Sequence, residues 1–452
     1  MKIIRKTKSV CPVCIENLDA DIIEEDNIAY MLKNCSKHGK FKILLSEDSQ
    51  FYKEVTKFYM ILAQLKPYKK HRLFYQLYLT YGCNLNCPIC YTNANNVEYS
   101  NPSIEFIRKS IKNWKNVEIA LFGGEPTTRD DLAHIIKCIE NTGNIPVLVT
   151  NGIKISNLDY LKSIKSRRLF VLLQFDGFSN DVIRKLRGAE LLEIRKRALN
   201  NLKKLNIPAS LEVAVAKNVN EDQLGEILEF ASNKGFIKII CYRASGFMGR
   251  KELHKQYTPT VNSLIEAIEK QTSGMISKRD VSNFQNLIYF LKMNFHFLPV
   301  YPCSSALQYL LFRDGNHFKP ISEVINLDII QNDIERYFYF IEKGKRSMAY
   351  FITSKIILKI IIKSKFLTIS KLLFSIIEKK LINSRVTLRE FPGKFLILRF
   401  SILCEPNTFD LSVAKNCAGG EIRSGTGVRE SRAVANMFHE KRVVEKEAVQ
   451  NQ

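Results

Sequence analysis

Three cysteines, Cys83, Cys87 and Cys90, stand within eight residues in "YGCNLNCPICY" (81–91), a C-x3-C-x2-C spacing. Three thiolates bind three corners of a [4Fe-4S] cluster and a fourth is needed to close it, so a triplet leaves one iron open to chelate a small molecule. A second group lies near the N-terminus. Cys11 and Cys14 form "CPVC", and Cys35 and His38 follow in "CSKHG", giving C-x2-C-x20-C-x2-H. Two close pairs a hairpin apart can clamp one tetrahedral ion, zinc or a mononuclear iron. At His38 a solvent-facing "HG" turn would read the same way as a ligand.

These residues need elements to hold them. Residues 1–60 show paired thiols and short alternating stretches, "NIAYMLKN" and "GKFKILLS", which predict a hairpin-built metal ribbon too small to stand without a staple. From 70 to 275 the text alternates apolar runs of strand length with amphipathic runs of helix length. The strand candidates are "FYQLYLT", "VEIALF", "IPVLVT", "LFVLLQF", "ASLEVAV" and "FIKIICY". The helix candidates are 103–114, 129–142, 156–165, 190–205 and 221–234, the last with Asn220 as N-cap. Strands apolar on both faces and joined by helical crossovers pair in parallel, so the fold class is α/β, a partial (β/α)6 barrel, with a doubly wound sheet as the alternative. Parallel barrels gather chemistry where strands end. The cysteine triplet, "GGEPT" (123–127), "TNG" (150–152) and "QFDGF" (174–178) all fall at such ends.

Residues 276–417 read as a helical, poorly defined region that covers the substrate or acts as a lid, and 418–452 read as a disordered tail. Within the former, 349–383 is rich in Ile, Leu, Phe and Lys. Lys355, Lys359 and Lys363 recur every fourth residue along one helical face, with Ile352, Ile356 and Ile360 elsewhere on its surface. This suggests either a basic helix lying on an anionic membrane or a helix packed on the barrel. The 452 residues carry a net charge of +23, which favours anionic surroundings or reflects a general Lys bias. No apolar stretch is free of charge long enough to span a bilayer. "MKIIRKTKSVCPVC" lacks a signal-peptide core, so a cytoplasmic, peripherally membrane-associated protein is expected, its eleven cysteines serving as ligands or core residues. Cys138 and Cys241 read as core. A zinc-ribbon nucleic-acid-binding protein is the distant alternative, but the ribbon lacks arginines interleaved with aromatics, so no nucleic-acid partner is expected.

The triplet resembles the signature of the radical S-adenosylmethionine (radical SAM) superfamily, as does the aromatic Tyr91 after its last cysteine. The resemblance covers about residues 74–250. It implies that Cys83, Cys87 and Cys90 carry a [4Fe-4S] cluster, and that Gly123, Gly124, Glu125 and Pro126 form the S-adenosylmethionine loop, whose small residues expose backbone to the methionyl amino group. Glu125 would accept from that ammonium or stabilise the loop. Tyr91, Asn151, Gln174 and Asp176 would contact cofactor or substrate, with turn-forming roles open for the last three. The implied chemistry is reductive cleavage of S-adenosylmethionine to a 5′-deoxyadenosyl radical that takes hydrogen from an unactivated C–H bond, with a low-potential electron donor as partner.

"CPVC … C-x2-HG", "GGEPTTRDDL", "LLQFDG" and "YPCS" further resemble the archaeal tetraether lipid synthase group and its bacterial relatives, some of which are connected with pterin methylation. That implies C–C coupling of lipid chains, with modification of a pterin or peptide as the alternative. The widely spaced Cys303, Cys404 and Cys417 form no local motif, so an auxiliary cluster would require the fold to converge them.

Overall fold

The computed structural model describes residues 1–65, 74–97, 100–246, 249–250, 258–295, 303–363, 393–417, 419–424 and 427–429, with 431 and 434. The first unit is an antiparallel meander of four strands, β1 (Lys2–Val10), β2 (Asn17–Glu25), β3 (Ile28–Cys35) and β4 (Gly39–Ser46). Asp26 and Asn27 both take positive φ, 51° and 62°, the left-handed pair that a two-residue hairpin turn requires. Its own buried apolar core is only Ala20, Ile22, Met31 and Ile43. Helix α1 (Ser49–Leu65) then buries Phe51, Val55, Phe58, Tyr59 and Leu62 on one face, joining the ribbon to the main core.

Six parallel strands follow in sequential order: β5 (Phe74–Thr80), β6 (Glu118–Gly123), β7 (Ile145–Thr150), β8 (Phe170–Gln174), β9 (Ala209–Val215) and β10 (Ile237–Ala244). All six coincide with the strand candidates. Between them run α2 (Ile104–Ile111), α3 (Leu132–Asn141), α4 (Leu158–Ser163), α5 (Asn180–Arg187), α6 (Leu192–Lys204) and α7 (Leu224–Ala231). Residues on both faces of the strands are buried, as parallel crossover pairing demands. Asn220 is not an N-cap, since α7 starts at Leu224 with Gln223 at the cap position. Its fully buried amide instead donates to the carbonyls of Asp176 and Ala214 and accepts from the Ala216 N–H.

The C-terminal region is less helical than its composition suggests. It supplies α8 (Val261–Gln271), α9 (Lys278–Asn294), β11 (Ala306–Asp314), β12 (His317–Pro320), α10 (Asp328–Glu342), α11 (Arg346–Lys363), β13 (Phe395–Ser401), β14 (Gly419–Arg423) and β15 (Gly427–Arg429). β13 adds in parallel to β10 and β14 adds in parallel to β5, so the sheet runs β12-β11-β13-β10-β9-β8-β7-β6-β5-β14-β15. Part of the expected disordered tail is thus a strand, and the remaining sequence from 435 onward lies outside the described residues.

The lysine face also turns out differently. Lys355 and Lys359 face α10, where both pair with the buried Asp333, at 2.8 and 2.7 Å. Ile352 and Ile356 are buried beside them. A carboxylate beneath the helix draws these two lysines to the packed side along with the isoleucines. The stretch 364–383 lies outside the described residues. Among those described, no helix is long and apolar enough to cross a membrane.

Candidate functional site

The triplet sits on the loop leaving β5, at the mouth where the parallel strands end. Its thiols are half-buried and clasped by backbone: Cys83 Sγ accepts from the Leu85 N–H and Cys90 Sγ from the Ala94 N–H. Burial pushes the Cys83 thiol up to about 12 and raises Cys87 also, against the pull of Arg187. Three thiols on one exposed-sided loop suit a group that wants three protein ligands and an open corner.

Two later segments brace this loop. The "GGE" backbone packs directly on it: the Gly124 N–H donates to Thr80 O at 2.7 Å and the Glu125 N–H to Gly82 O at 2.9 Å. A Cβ on Gly123, whose φ is +135°, would stand 2.0 Å from Thr80 O, and one on Gly124 2.2 Å from Gly82 O. The close approach that requires these glycines is therefore to the cysteine loop's own chain. Glu125 is buried and accepts from the Thr127 N–H, the Thr127 and Thr150 hydroxyls and the Asn151 N–H, at 2.6–3.1 Å. These bonds fasten "GGEPT" to "TNG". Burial raises its carboxyl despite those bonds. Pro126 opens the 3-10 turn that follows. Asn151 reaches the cysteine loop through Asn84, Nδ2 to Oδ1 at 2.7 Å.

Gln174 and Asp176 are spoken for. Asp176, fully buried, pairs with Arg187 at 2.7 Å and Arg195 at 3.0 Å and accepts from the Ala214 N–H, while Gln174 Oε1 accepts from Arg195 at 2.8 Å. Burial alone would raise the Asp176 carboxyl, but the two guanidiniums overcome it and hold it low. The positive charge of Arg187 also acts on the Cys87 thiol, so Asp176 and its arginines form a charged prop behind the triplet.

Sequence reasoning missed Asn84, Arg187, Arg195 and, above all, Gly249 and Arg250. The Arg250 N–H donates to Cys90 O, and its guanidinium to Cys87 O at 2.7 Å and Ala94 O at 2.8 Å, so one side chain ties down the loop's carbonyls. Gly249 has φ +64°, and a Cβ there would meet Cys90 O at 2.4 Å. The signal was positional: these residues follow the sixth strand, at the same mouth.

Tyr91 turns to the other side of the loop. Its ring lies 5.9 Å from Phe122, its hydroxyl 3.4 Å from that of Tyr78, and it packs against a small cluster made by Val10, Ile15, Phe409 and Ala414. Cys404 and Cys417 pack on that cluster, whereas Cys303 packs on the main core. Cys138 and Cys241 are buried in the body. Beyond Tyr78, Arg423 of β14 stacks on its ring at 4.0 Å and pairs with Glu421.

In the ribbon, Cys11, Cys14, Cys35 and His38 bring their ligand atoms within 4.8 Å of one another. The Cys14–Cys35 sulfurs are 3.9 Å apart, and His38 Nδ1 lies 3.7 Å from Cys11 Sγ and 3.6 Å from Cys35 Sγ. Tetrahedral zinc with sulfur at about 2.3 Å needs edges of about 3.8 Å. The four residues fit it. The His38 imidazole draws the Cys35 thiol down to about 6, toward the thiolate a metal binds.

Residues 77–231 match the radical SAM superfamily, and residues 3–47 match the HMPTM N-terminal zinc ribbon domain. Residues 77–231 are thus similar to a radical SAM superfamily domain, with a zinc ribbon ahead of it. It is 33% identical over 305 residues to the 7,8-dihydro-6-hydroxymethylpterin dimethyltransferase of Methanocaldococcus jannaschii, covering 61% of this chain and 60% of that protein. It is 27% identical over 216 residues to the probable GTP 3′,8-cyclase of Methanococcus aeolicus, covering 45% of this chain and 69% of that one. The SuiB structure of Streptococcus suis bound to S-adenosylmethionine aligns over 55% of this chain and 69% of its own, at 15% identity and a TM-score of 0.39, too low to carry an argument. Neither relative's name concerns a lipid.

Proposed function

We propose that this chain is a radical SAM enzyme that abstracts hydrogen while modifying a pterin-type heterocycle. The observation that carries the reading is the half-buried thiol triplet at the mouth of the parallel sheet, braced on one side by the "GGE" backbone and on the other by Arg250. When bound, a [4Fe-4S] cluster with S-adenosylmethionine supplies one-electron reductive cleavage of a carbon–sulfur bond. Cys83, Cys87 and Cys90 would hold the cluster. The chain's own work is positional. Glu125 fixes the loop that approaches the methionyl end, Asn151 ties the third strand end to the cysteine loop, and Tyr91 anchors that loop's far side against Phe122. Asp176 and its arginines hold a charged prop behind Cys87 in place of water. A low-potential donor must supply the electron. The pterin class rests on the M. jannaschii relative's name.

A second reading, coupling of lipid chains, is favoured by one feature, an exposed apolar face on α11. The test is deoxyadenosine formation by anaerobically reconstituted, reduced protein with 7,8-dihydro-6-hydroxymethylpterin, with lipid extract, or with neither. Stimulation by the pterin supports the first reading, and stimulation by lipid alone transfers the case to the second. Absence of S-adenosylmethionine cleavage in all three, with four irons bound, overturns both.

A further inference from the structure

Seven of the thirteen large apolar side chains exposed among the described residues lie on α11. Tyr350, Phe351, Ile357, Leu358, Ile361 and Ile362 recur at helical spacing and leave between about two-fifths and two-thirds of their surface in solvent, Phe351 66% and Ile362 64%. Lys355 and Lys359 pair with Asp333 and Ile352 and Ile356 pack inward, while the large apolar residues on the far side stay outside. An outward stripe along an 18-residue helix is about 27 Å long. Patches of that extent on a soluble body mark a contact surface.

Charge selects the occupant. At the N-terminal end of the stripe, Arg336, Lys343, Lys345 and Arg346 are all exposed, and between residues 336 and 363 the sole acidic residue is Glu342. The whole chain carries +23, so a second copy is repelled while an anionic surface is attracted. We propose that α11 lies in the interface of an anionic bilayer, its apolar stripe among the acyl chains and its basic end at the headgroups. The docking face is thus the opposite of the lysine face that the sequence suggests. It holds whichever substrate is correct.

The experiment is flotation of the purified full chain with vesicles of phosphatidylcholine alone or mixed with phosphatidylglycerol, at two salt concentrations. The wild type floats with the mixed vesicles, less so at high salt, and stays down with the neutral ones. Phe351→Asp combined with Leu358→Asp, both at exposed positions, abolishes flotation while the thermal midpoint and S-adenosylmethionine cleavage are kept. Lys343→Gln with Arg346→Gln lowers partitioning by about tenfold or more, since each surface cation is worth about 1 kcal/mol at an anionic membrane. Failure of the wild type to float with anionic vesicles overturns the proposal. So does undiminished flotation of the aspartate variant. A solution dimer that this variant disperses would assign the face to a second copy and equally overturn it.

Discussion

The ribbon quartet and the barrel triplet are both thiol sites, yet they are assembled in opposite ways. In the ribbon, two hairpin knuckles bring four ligand atoms within 4.8 Å, and every ligand comes from the first 38 residues. In the barrel, three thiols come from one loop, but the groups holding it come from β6, α5 and the segment after β10, as much as 163 residues away. A closed site is a local structure that a metal can finish. An open site needs its fourth corner free, so rigidity must be imported from the surrounding fold.

The sharpest break between the two is Cys87→Ala. It lowers S-adenosylmethionine cleavage by at least about a thousandfold, the scale seen when a group on which the chemistry depends is deleted. Iron falls by about four per chain while the ribbon's metal stays, both read by elemental analysis. Loss of both metals together would mean the sites are one cooperative unit.

Next in size, Cys14→Ser removes the ribbon's ion. Structural zinc contributes about 10 kcal/mol or more to folding of isolated fingers, and the meander's small core cannot replace it. Hydrogen exchange should show β1–β4 losing protection while β5–β10 keep theirs. A ribbon still protected without metal would place its stability in its contacts with the body. Those contacts are real: buried Lys33 donates to Pro406 O and Asn407 O, and Arg5 pairs with Asp410.

Asp176→Asn leaves Arg187 and Arg195 buried without their counter-ion and costs about 3–5 kcal/mol, measured by denaturant unfolding. The pH dependence has a definite sign. A carboxyl held low in the folded state contributes stability fully above its unfolded value of about 3.9, and that contribution is lost as pH falls from there through the lower folded value. The variant should lack this part of the acid-side slope.

The smallest effect belongs to Arg250→Lys, which keeps the charge but loses the fork spanning Cys87 O and Ala94 O. Cleavage should slow by about tenfold, with a cluster that reconstitutes but shows altered electron paramagnetic resonance, which separates a positioning role from mere folding.

What the sequence disclosed follows the same division. Thiol spacing within a dozen residues and period-2 or period-3.6 apolar patterns are local, so the triplet, the quartet and six strands could be read. Which distant side chain meets which is not encoded in any period. Hence Arg250 leaves no signal in the sequence, the two arginines that pair with Asp176 cannot be read from its strand end, and Asn220 reads as a cap rather than a buried hub. The lysines of α11 make the same point: of the two readings the packed helix is the one seen, and the residue that draws Lys355 and Lys359 inward, Asp333, sits on another element. The tetraether resemblance rested on short motifs, and the relatives matched here do not carry it.

The pairing of β14 with β5 has a temporal consequence. Gly419–Ile422 pair beside Phe74–Leu77, so the neighbour of the first barrel strand is synthesised long after it. Until β14 docks, the strand that leads into the cysteine loop has one unpaired edge.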